Sequence, residues 1–379
     1  MENKPILENT VVIIPSYEPS GSFVSYAREL IEKGFKEVLV VNDGSNDTFT
    51  PVFEEIKSIP RCIVTGYAEN HGKGHALKFA FAYCKERYDE STLFVTADCD
   101  GQHLCEDVER VAREAAATPE QLILGARDFS LPFVPQRSRK GNVFTRKMYK
   151  FLYGLSLEDT QTGLRAFSYS MLDELMNIKG ERFEYEMNML VILHKNRRII
   201  REIPIATVYN EEMEDGAKVS HYRPLRDSVR ILSILFKNLG WYFFSSIVST
   251  ILDILAFYLL TRFVFAAEIT SAALVMLIPT VGSRVLSSVF NFTFNFKVVF
   301  RGKKKRSIFR YYALWCVQLG VSYGIACGLN ALFALTALPN DTKALLITLC
   351  KGFCDFLIGM ISYGVQRAYV FADPKPKNK

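Results

Sequence analysis

STLFVTADCDGQH, residues 91–103, runs from a short apolar stretch into two carboxylates, Asp98 and Asp100, separated by one residue. The apolar and β-branched run from Ser91 to Asp98 predicts a buried strand, which puts the acidic pair on the turn at its carboxyl end. Similar stretches lie to either side: VVIIP (Val11–Pro15), EVLVVND (Glu37–Asp43), a shorter one at Arg61–Thr65, and QLILGAR (Gln121–Arg127). Between them, helical spacing covers Phe23–Lys33, Pro51–Ser58, Gly74–Arg87 and Glu106–Thr118. This alternation predicts an α/β fold with a mostly parallel sheet and helices on both faces. Ligands of such sheets bind beyond the carboxyl ends of the strands. Asp43, Asp98 and Arg127 all fall there, so three charged groups are expected on one edge.

The rest of the chain reads differently. Its 379 residues suffice for two domains, and the 49% hydrophobic average hides a change near Asn238. Beyond it lie four apolar segments, Trp241–Phe265, Ala272–Phe296, Tyr311–Leu335 and Ala344–Tyr369, each long enough to span hydrocarbon. The link RGKKKRSIFR (Arg301–Arg310) and the tail are basic, whereas the other two links are not. Positive-inside reasoning then sets both termini and the first domain in the cytoplasm of a multi-pass membrane protein. The net charge of +6 is too modest for a nucleic-acid binder, and its bunching near the apolar segments suits anionic membrane lipid. Eight cysteines without a CxxC pair argue against a disulfide framework. MENKPILENT lacks the apolar run of a signal peptide.

Two details of the apolar part carry expectations. NFKVVF (Asn295–Phe300) and QRAYVF (Gln366–Phe371) close the second and fourth segments alike, as two helical hairpins of one design would. Asp253, Arg284, Lys351 and Asp355 lie inside apolar segments, where ionisable groups are costly and seek partners. Lys351 and Asp355 are four apart and can pair along one helix, and Arg284 is expected to meet Asp253 or Asp355.

Each loop of the first domain carries recognisable chemistry. The Asp98–Asp100 pair suits Mg²⁺ or Mn²⁺, which favour carboxylate and phosphate oxygens, although a polar turn closing a strand would read the same. In VNDGSND (Val41–Asp47), Asp43 can accept from a base or ribose, while Asp47 can equally cap the next helix. NHGKGHA (Asn70–Ala76) allows close backbone approach at its glycines, and Lys73 can meet a phosphate. In QRSRKGN (Gln136–Asn142), Arg137 and Arg139 follow Arg127, and guanidinium forks suit phosphate.

PSYE, VNDGSND, NHGKGHA and DCDGQ, in that order over about the first hundred residues, resemble the GT-A fold of family-2 glycosyltransferases. The branch most similar is the dolichol-phosphate mannose synthase and polyprenyl-phosphate glycosyltransferase type. That resemblance implies an inverting hexose transfer from a UDP- or GDP-sugar to a polyprenyl (undecaprenyl or dolichyl) phosphate. It implies that Pro15, Tyr17, Glu18, Asp43, Asp47, Lys73 and Asp98 serve the nucleotide, and that Asp98, Asp100 and Gln102 organise the metal and diphosphate. PSYEP departs from many relatives in placing Glu18 directly after Tyr17. Arg127, Arg137 and Arg139 are then the acceptor-phosphate groups. DTQTGLRAF (Asp159–Phe167) resembles the signature before the acceptor side, with Gln161, Arg165, His221 and Arg223 at the diphosphate or its lid. Asp100 and Asp159 are the candidates for positioning or weak-base duty. RFEYEMNML (Arg182–Leu190) is similar to the next helix of the family, and either Glu184 or Glu186 can face the sugar.

The expected division is a GT-A domain over 1–222, a juxtamembrane amphipathic helix over 223–240, and an all-α transmembrane domain of four helices over 241–372 that resembles the GtrA-like family and offers a route to a homo-oligomer. In the middle stretch Leu225, Val229 and Leu232 share a helical face flanked by Arg226 and Arg230. A transferase acting on a sugar hydroxyl, or a lipid-linked sugar flippase or scaffold, are the rival readings.

Overall fold

The strand that ends near the acidic pair is one of seven in a single sheet. The computed structural model describes residues 6–208, 224–266, 272–300, 307–336 and 339–371. In chain order the first part runs β1 (Thr10–Ser16), α1 (Ser22–Glu32), β2 (Glu37–Asp43), α2 (Thr50–Ser58), β3 (Cys62–Tyr67), α3 (Lys73–Arg87), β4 (Leu93–Thr96) and α4 (Cys105–Ala117). It continues with β5 (Leu122–Ala126), α5 (Gln136–Tyr153), β6 (Arg165–Ser168), α6 (Leu172–Met176), α7 (Glu184–Lys195) and β7 (Ile200–Pro204). The strand order is β3-β2-β1-β4-β6-β5-β7.

The expected parallel sheet holds for β1, β2, β3 and β4, with Val12 opposite Val38 and Val95. The sheet as a whole is mixed, because β6 runs antiparallel to both β4 and β5. β6 is four residues long and too short to announce itself by periodicity. Strands buried on both faces are near-continuous apolar runs, and β1 and β4 are buried along their whole length. Val12, Ile14, Val38, Val40 and Val95 share one core with Phe23, Ala27 and Leu30 of α1 and with Val108, Val111 and Ala112 of α4. α3 packs on β1 and β2. The chain progresses outward from β1 to β3 and then returns to β4 on the other side of β1. That reversal opens a crevice beyond β1 and β4, where open α/β sheets take their ligands.

The chain divides into two compact units, 1–235 and 236–379. The second holds most of α8 (Pro224–Ala266), then α9 (Ala272–Phe294), α10 (Ser307–Ala334) and α11 (Asn340–Val365). Among the described residues, one stretch, Phe236–Leu260 of α8, is long and apolar enough to cross a bilayer. Its Ile247, Ile251 and Ile254 side chains point outward.

NFKVVF and QRAYVF share a structure. Each forms a short π-helical turn, Asn295–Val299 and Gln366–Val370. The Phe300 N–H donates to the Asn295 carbonyl at 2.9 Å, the Phe371 N–H to the Gln366 carbonyl at 2.8 Å, and the two rings stack 4.9 Å apart. The clasp is reciprocal. Tyr311 of α10 donates to Asn291 Oδ1 of α9 at 2.7 Å, while Gln366 after α11 donates to the Tyr242 hydroxyl of α8 at 3.2 Å. Asp253 is the partner of Arg284, at 3.5 Å, and also accepts from Ser287 Oγ. The side chains of Lys351 and Asp355, and those of Leu225, Arg226, Val229, Arg230 and Leu232, lie outside the described ones.

One glycine ties the crevice to the sheet. Gly44, just after β2, has φ +66, and a Cβ there would lie 2.3 Å from the Glu69 carbonyl carbon. Gly44→Ala therefore forces a left-handed residue into backbone, costing at least about 1 kcal/mol for the conformation alone. The unfolding midpoint of the first unit should fall by at least roughly 2–4 °C, followed by calorimetry or near-UV circular dichroism. An unchanged midpoint would show that the β2 turn relaxes freely.

Candidate active site

The crevice is lined by the residues after β1, β2 and β4 and closed from the far side by the turn before β6 and the start of α7. Asp98 lies two residues beyond β4. Its Oδ1 lies 2.7 Å from Lys73 Nζ, the first residue of α3, and the same ammonium lies 2.8 Å from Glu186 Oε1 in the first turn of α7. Burial works against ionising Asp98, but the Lys73 charge outweighs it and holds the carboxyl below the ordinary carboxylate range. The same pair of acids, against the desolvation of its side chain, raises Lys73 above its usual value. Lys73, expected to meet a phosphate, has its charge shared here by two carboxylates.

Two further groups fix Asp98. Gly163, in the QTGLR stretch, has no side chain because one would sit 2.5 Å from both Asp98 carboxylate oxygens. The Asp98 N–H donates to Nδ1 of His103 at 3.1 Å, which places the imidazole proton on Nε2, 3.9 Å from Asp98 Oδ2. His103 is buried, and burial pushes its pKa down to about 4, so it stands as a neutral ring. Its place in DCDGQH was a signal that the sequence reading left unused.

Asp100 is exposed at the mouth, where its Oδ1 accepts from the Gln102 N–H at 3.0 Å. Crowding by the surrounding protein and the Asp98 charge push its carboxyl up to about 6. Asp98 and Glu186 share the Lys73 ammonium, Arg127 is paired with Asp159, and the Asp100 carboxylate adds negative charge at the opening that the nearby Arg127 guanidinium tempers. Among the described residues no three His, Cys, Asp and Glu side chains are grouped to hold a metal. Asp98, Asp100 and Gln102 stand together on the turn after β4, and Mg²⁺ or Mn²⁺, which one or two carboxylates and substrate phosphates can hold, would suit that donor set.

Asp43 is 3% exposed and both its oxygens are occupied. They accept from Tyr67 Oη at 2.8 Å, Asn70 Nδ2 at 3.1 Å, the His71 N–H at 2.9 Å and the Gly72 N–H at 2.9 Å. Asp43 therefore holds the NHGKG loop in the turn that delivers Lys73 to Asp98, and any contact with a nucleoside is additional to that. Tyr67, Asn70 and His71 entered no expected role, because their partner lies a strand away. Pro15 is inside β1, Tyr17 follows it half-buried, and Glu18 has φ +49, donating its N–H to Ser45 Oγ and accepting from Asn46 Nδ2. Asn46 rather than Asp47 caps the turn that follows, and Asp47 is exposed.

The arginines separate. Arg127 forks onto Asp159, Nε to Oδ2 at 2.7 Å and Nη2 to Oδ1 at 3.3 Å. Asp159 is fully buried and also accepts from the Gln161 N–H, so it orients Arg127 and is not placed to act as a base. Arg139 donates to the carbonyls of Phe129 and Leu131, at 3.0 and 2.6 Å, and shapes that loop. Arg137 is exposed, as is Gln161. Arg165 is corrected outright: it is 1% exposed within β6, donating to the Thr162 and Glu186 carbonyls at 3.0 and 2.8 Å, and reaches no diphosphate. Of the two α7 acids, Glu186 faces the site through Lys73, while Glu184 accepts from the Glu181 N–H at 3.2 Å. His221 and Arg223 lie outside the described residues.

Arg127→Ala would leave the Asp159 carboxylate buried and unpaired. It should cost about 3–5 kcal/mol, whereas Arg127→Met with Asp159→Leu should cost far less. A thermodynamic cycle by chemical denaturation checks this, and equal losses in both variants would show that Arg127 acts through packing.

Residues 11–176 match the family model described as Glycosyl transferase family 2. The chain is 27% identical over 227 residues to the UDP-N-acetylglucosamine–dolichyl-phosphate N-acetylglucosaminyltransferase of Methanococcus voltae, covering 55% of this chain and 89% of that one. It is 24% identical over 237 residues to glycosyltransferase AglJ of Haloferax volcanii, covering 62% and 73%. An uncharacterized protein of Methanocaldococcus jannaschii is 29% identical over 213 residues, covering 55% and 85%. Among solved structures, glucosyl-3-phosphoglycerate synthase from Mycobacterium tuberculosis aligns with a TM-score of 0.46 at 16% identity, over 61% of this chain and 80% of that one.

Proposed function

We propose that this chain, a glycosyltransferase whose first unit carries a family 2 domain, moves a hexose from a nucleotide-sugar to a polyprenyl phosphate at a membrane surface, with inversion at the anomeric carbon. The observation that carries the reading is the joining, in one chain, of an acidic crevice to a helix with outward apolar side chains. Ile254 is 66% exposed and Phe263 67%, and such surface on a helix of spanning length calls for lipid. The name of the Methanococcus voltae relative, which gives dolichyl phosphate as that protein's acceptor, supports the same acceptor class.

The donor lies across the reversal between β1 and β4, with its nucleoside toward Tyr17 and the Asp43 loop and its diphosphate toward Asp98 and Asp100. Asp98, Asp100 and Gln102 would hold a divalent cation, which would neutralise charge on the leaving diphosphate. Asp98, fixed by Lys73, His103 and Gly163, keeps the opening negative and shaped. Arg137, exposed in the first turn of α5, serves the acceptor phosphate, and the Asp159-bound Arg127 forms the wall behind it. A phosphate is ionised near neutral pH and attacks without a strong base. A sugar hydroxyl needs a carboxylate base; Asp159 and Glu186 are both committed to internal partners and Asp100 is given to the cation, which favours the phosphate acceptor. The second unit is read as a GtrA-like four-helix membrane domain. The reciprocal clasp of its two helix pairs supports one duplicated design.

Membranes holding the chain, given radiolabelled nucleotide-sugars and polyprenyl phosphate, should yield label in the lipid phase. Asp100→Asn should lower that transfer by at least about 100-fold, the scale of losing a group that serves developing charge, and EDTA should do the same to the parent. Arg137→Ala should weaken acceptor affinity roughly tenfold or more with nucleotide binding unchanged. Full transfer in chelator would remove the cation from the mechanism, and label only in a soluble glycan would replace the acceptor.

A further inference from the structure

Lys73 is held at 2.7 Å from Asp98 and 2.8 Å from Glu186, and Glu186 is itself 6% exposed. A buried carboxylate is expensive unless it serves a partner. Here the partner is an ammonium that already has another acid. Asp98 alone would neutralise Lys73, so packing does not demand a second carboxylate. Glu186 is also fixed from behind: Arg165, fully buried, donates from Nη1 to the Glu186 carbonyl at 2.8 Å, and the His75 N–H donates to the Glu181 carbonyl at 2.9 Å, tying α3 to the turn before α7. The Gly74 Cα sits so close to that turn that a Cβ would lie 2.4 Å from Tyr185 Cβ. α3 and α7 thus approach as one rigid joint, with Lys73 pinned in it.

We propose that Glu186 is a positioning residue for the acidic crevice. By sharing Lys73 it prevents the ammonium from cancelling Asp98 fully or swinging out to the donor phosphates, and so preserves the surplus negative charge that a divalent cation needs at Asp98 and Asp100. This rests on the cation reading of the site given above. Glu186 touches neither the cation nor the donor. Its effect is exerted through Lys73, as partners behind a metal site act on the groups that hold it.

The test is direct cation binding by the full chain in detergent, with Mn²⁺ alone titrated and the free ion followed by electron paramagnetic resonance. Glu186→Gln should weaken Mn²⁺ binding about 10- to 100-fold, and Glu186→Asp should recover most of it. Lys73→Met combined with Glu186→Leu should also recover it, because the uncompensated ammonium leaves together with its second acid. A purely structural role would not produce that recovery, and the double variant keeps the test open even where Glu186→Gln unfolds. Thermal unfolding of each variant separates loss of binding from loss of fold. Parent-like Mn²⁺ binding by folded Glu186→Gln, or a double variant that folds and binds no better than a tenth as tightly as the parent, overturns the inference. A parent that binds no Mn²⁺ overturns the cation reading of the crevice and this inference with it, whereas failure confined to the variants counts against Glu186 alone.

Discussion

One ammonium between two carboxylates organises the first unit. Lys73 opens α3, Asp98 follows β4, and Glu186 sits in the first turn of α7, three elements far apart in the chain. Removing Lys73 would leave two acids beside a third, Asp100, in a partly desolvated crevice. The position of Lys73 depends in turn on Asp43, whose two oxygens gather the Asn70–Gly72 loop. The crevice is therefore held by charges that use up almost all of their own capacity internally. What is left over, the outward Asp100 carboxylate, is what a substrate complex can use.

The same economy separates groups that shape the site from groups that face out of it. Arg127, Arg139, Asp159 and Arg165 bear charge, yet each is bound to a protein partner in or near the interior. Burial favours a guanidinium whose donors find protein partners; Arg165 meets the Thr162 and Glu186 carbonyls in this way, although its Nη2 is left without a hydrogen bond. Arg137, exposed on the first turn of α5, escapes this constraint.

The second unit solves a different problem. Its polar groups gather at the π-helical turns, where Ser245, Asn291, Asn295 and Tyr311 form one chain of hydrogen bonds and Tyr242, Ser362 and Gln366 another. Ser245, Asn295 and Gln366 are buried while the apolar side chains of α8 point outward. The same turns bury Tyr311, Val370 and Phe371 against Phe292, Phe296 and Phe300, so hydrogen-bonded polar groups and aromatic packing close these helix ends together.

From the chain alone, the α/β rhythm, the strand ends carrying Asp43, Asp98 and Arg127, and the change of character near residue 238 were all legible, because strand and helix periods and apolar length are local properties. So was the likeness of NFKVVF and QRAYVF. The antiparallel β6, the two carboxylates that share Lys73, the burial of Arg165 and Asp159, and the pairing of Glu186 rather than Glu184 with Lys73 belonged to the tertiary structure. Each turns on which side chain meets which across tens of residues, and on how much water is left between them. A charge has the same letter in the sequence whether it faces solvent or a buried partner, and only packing decides which.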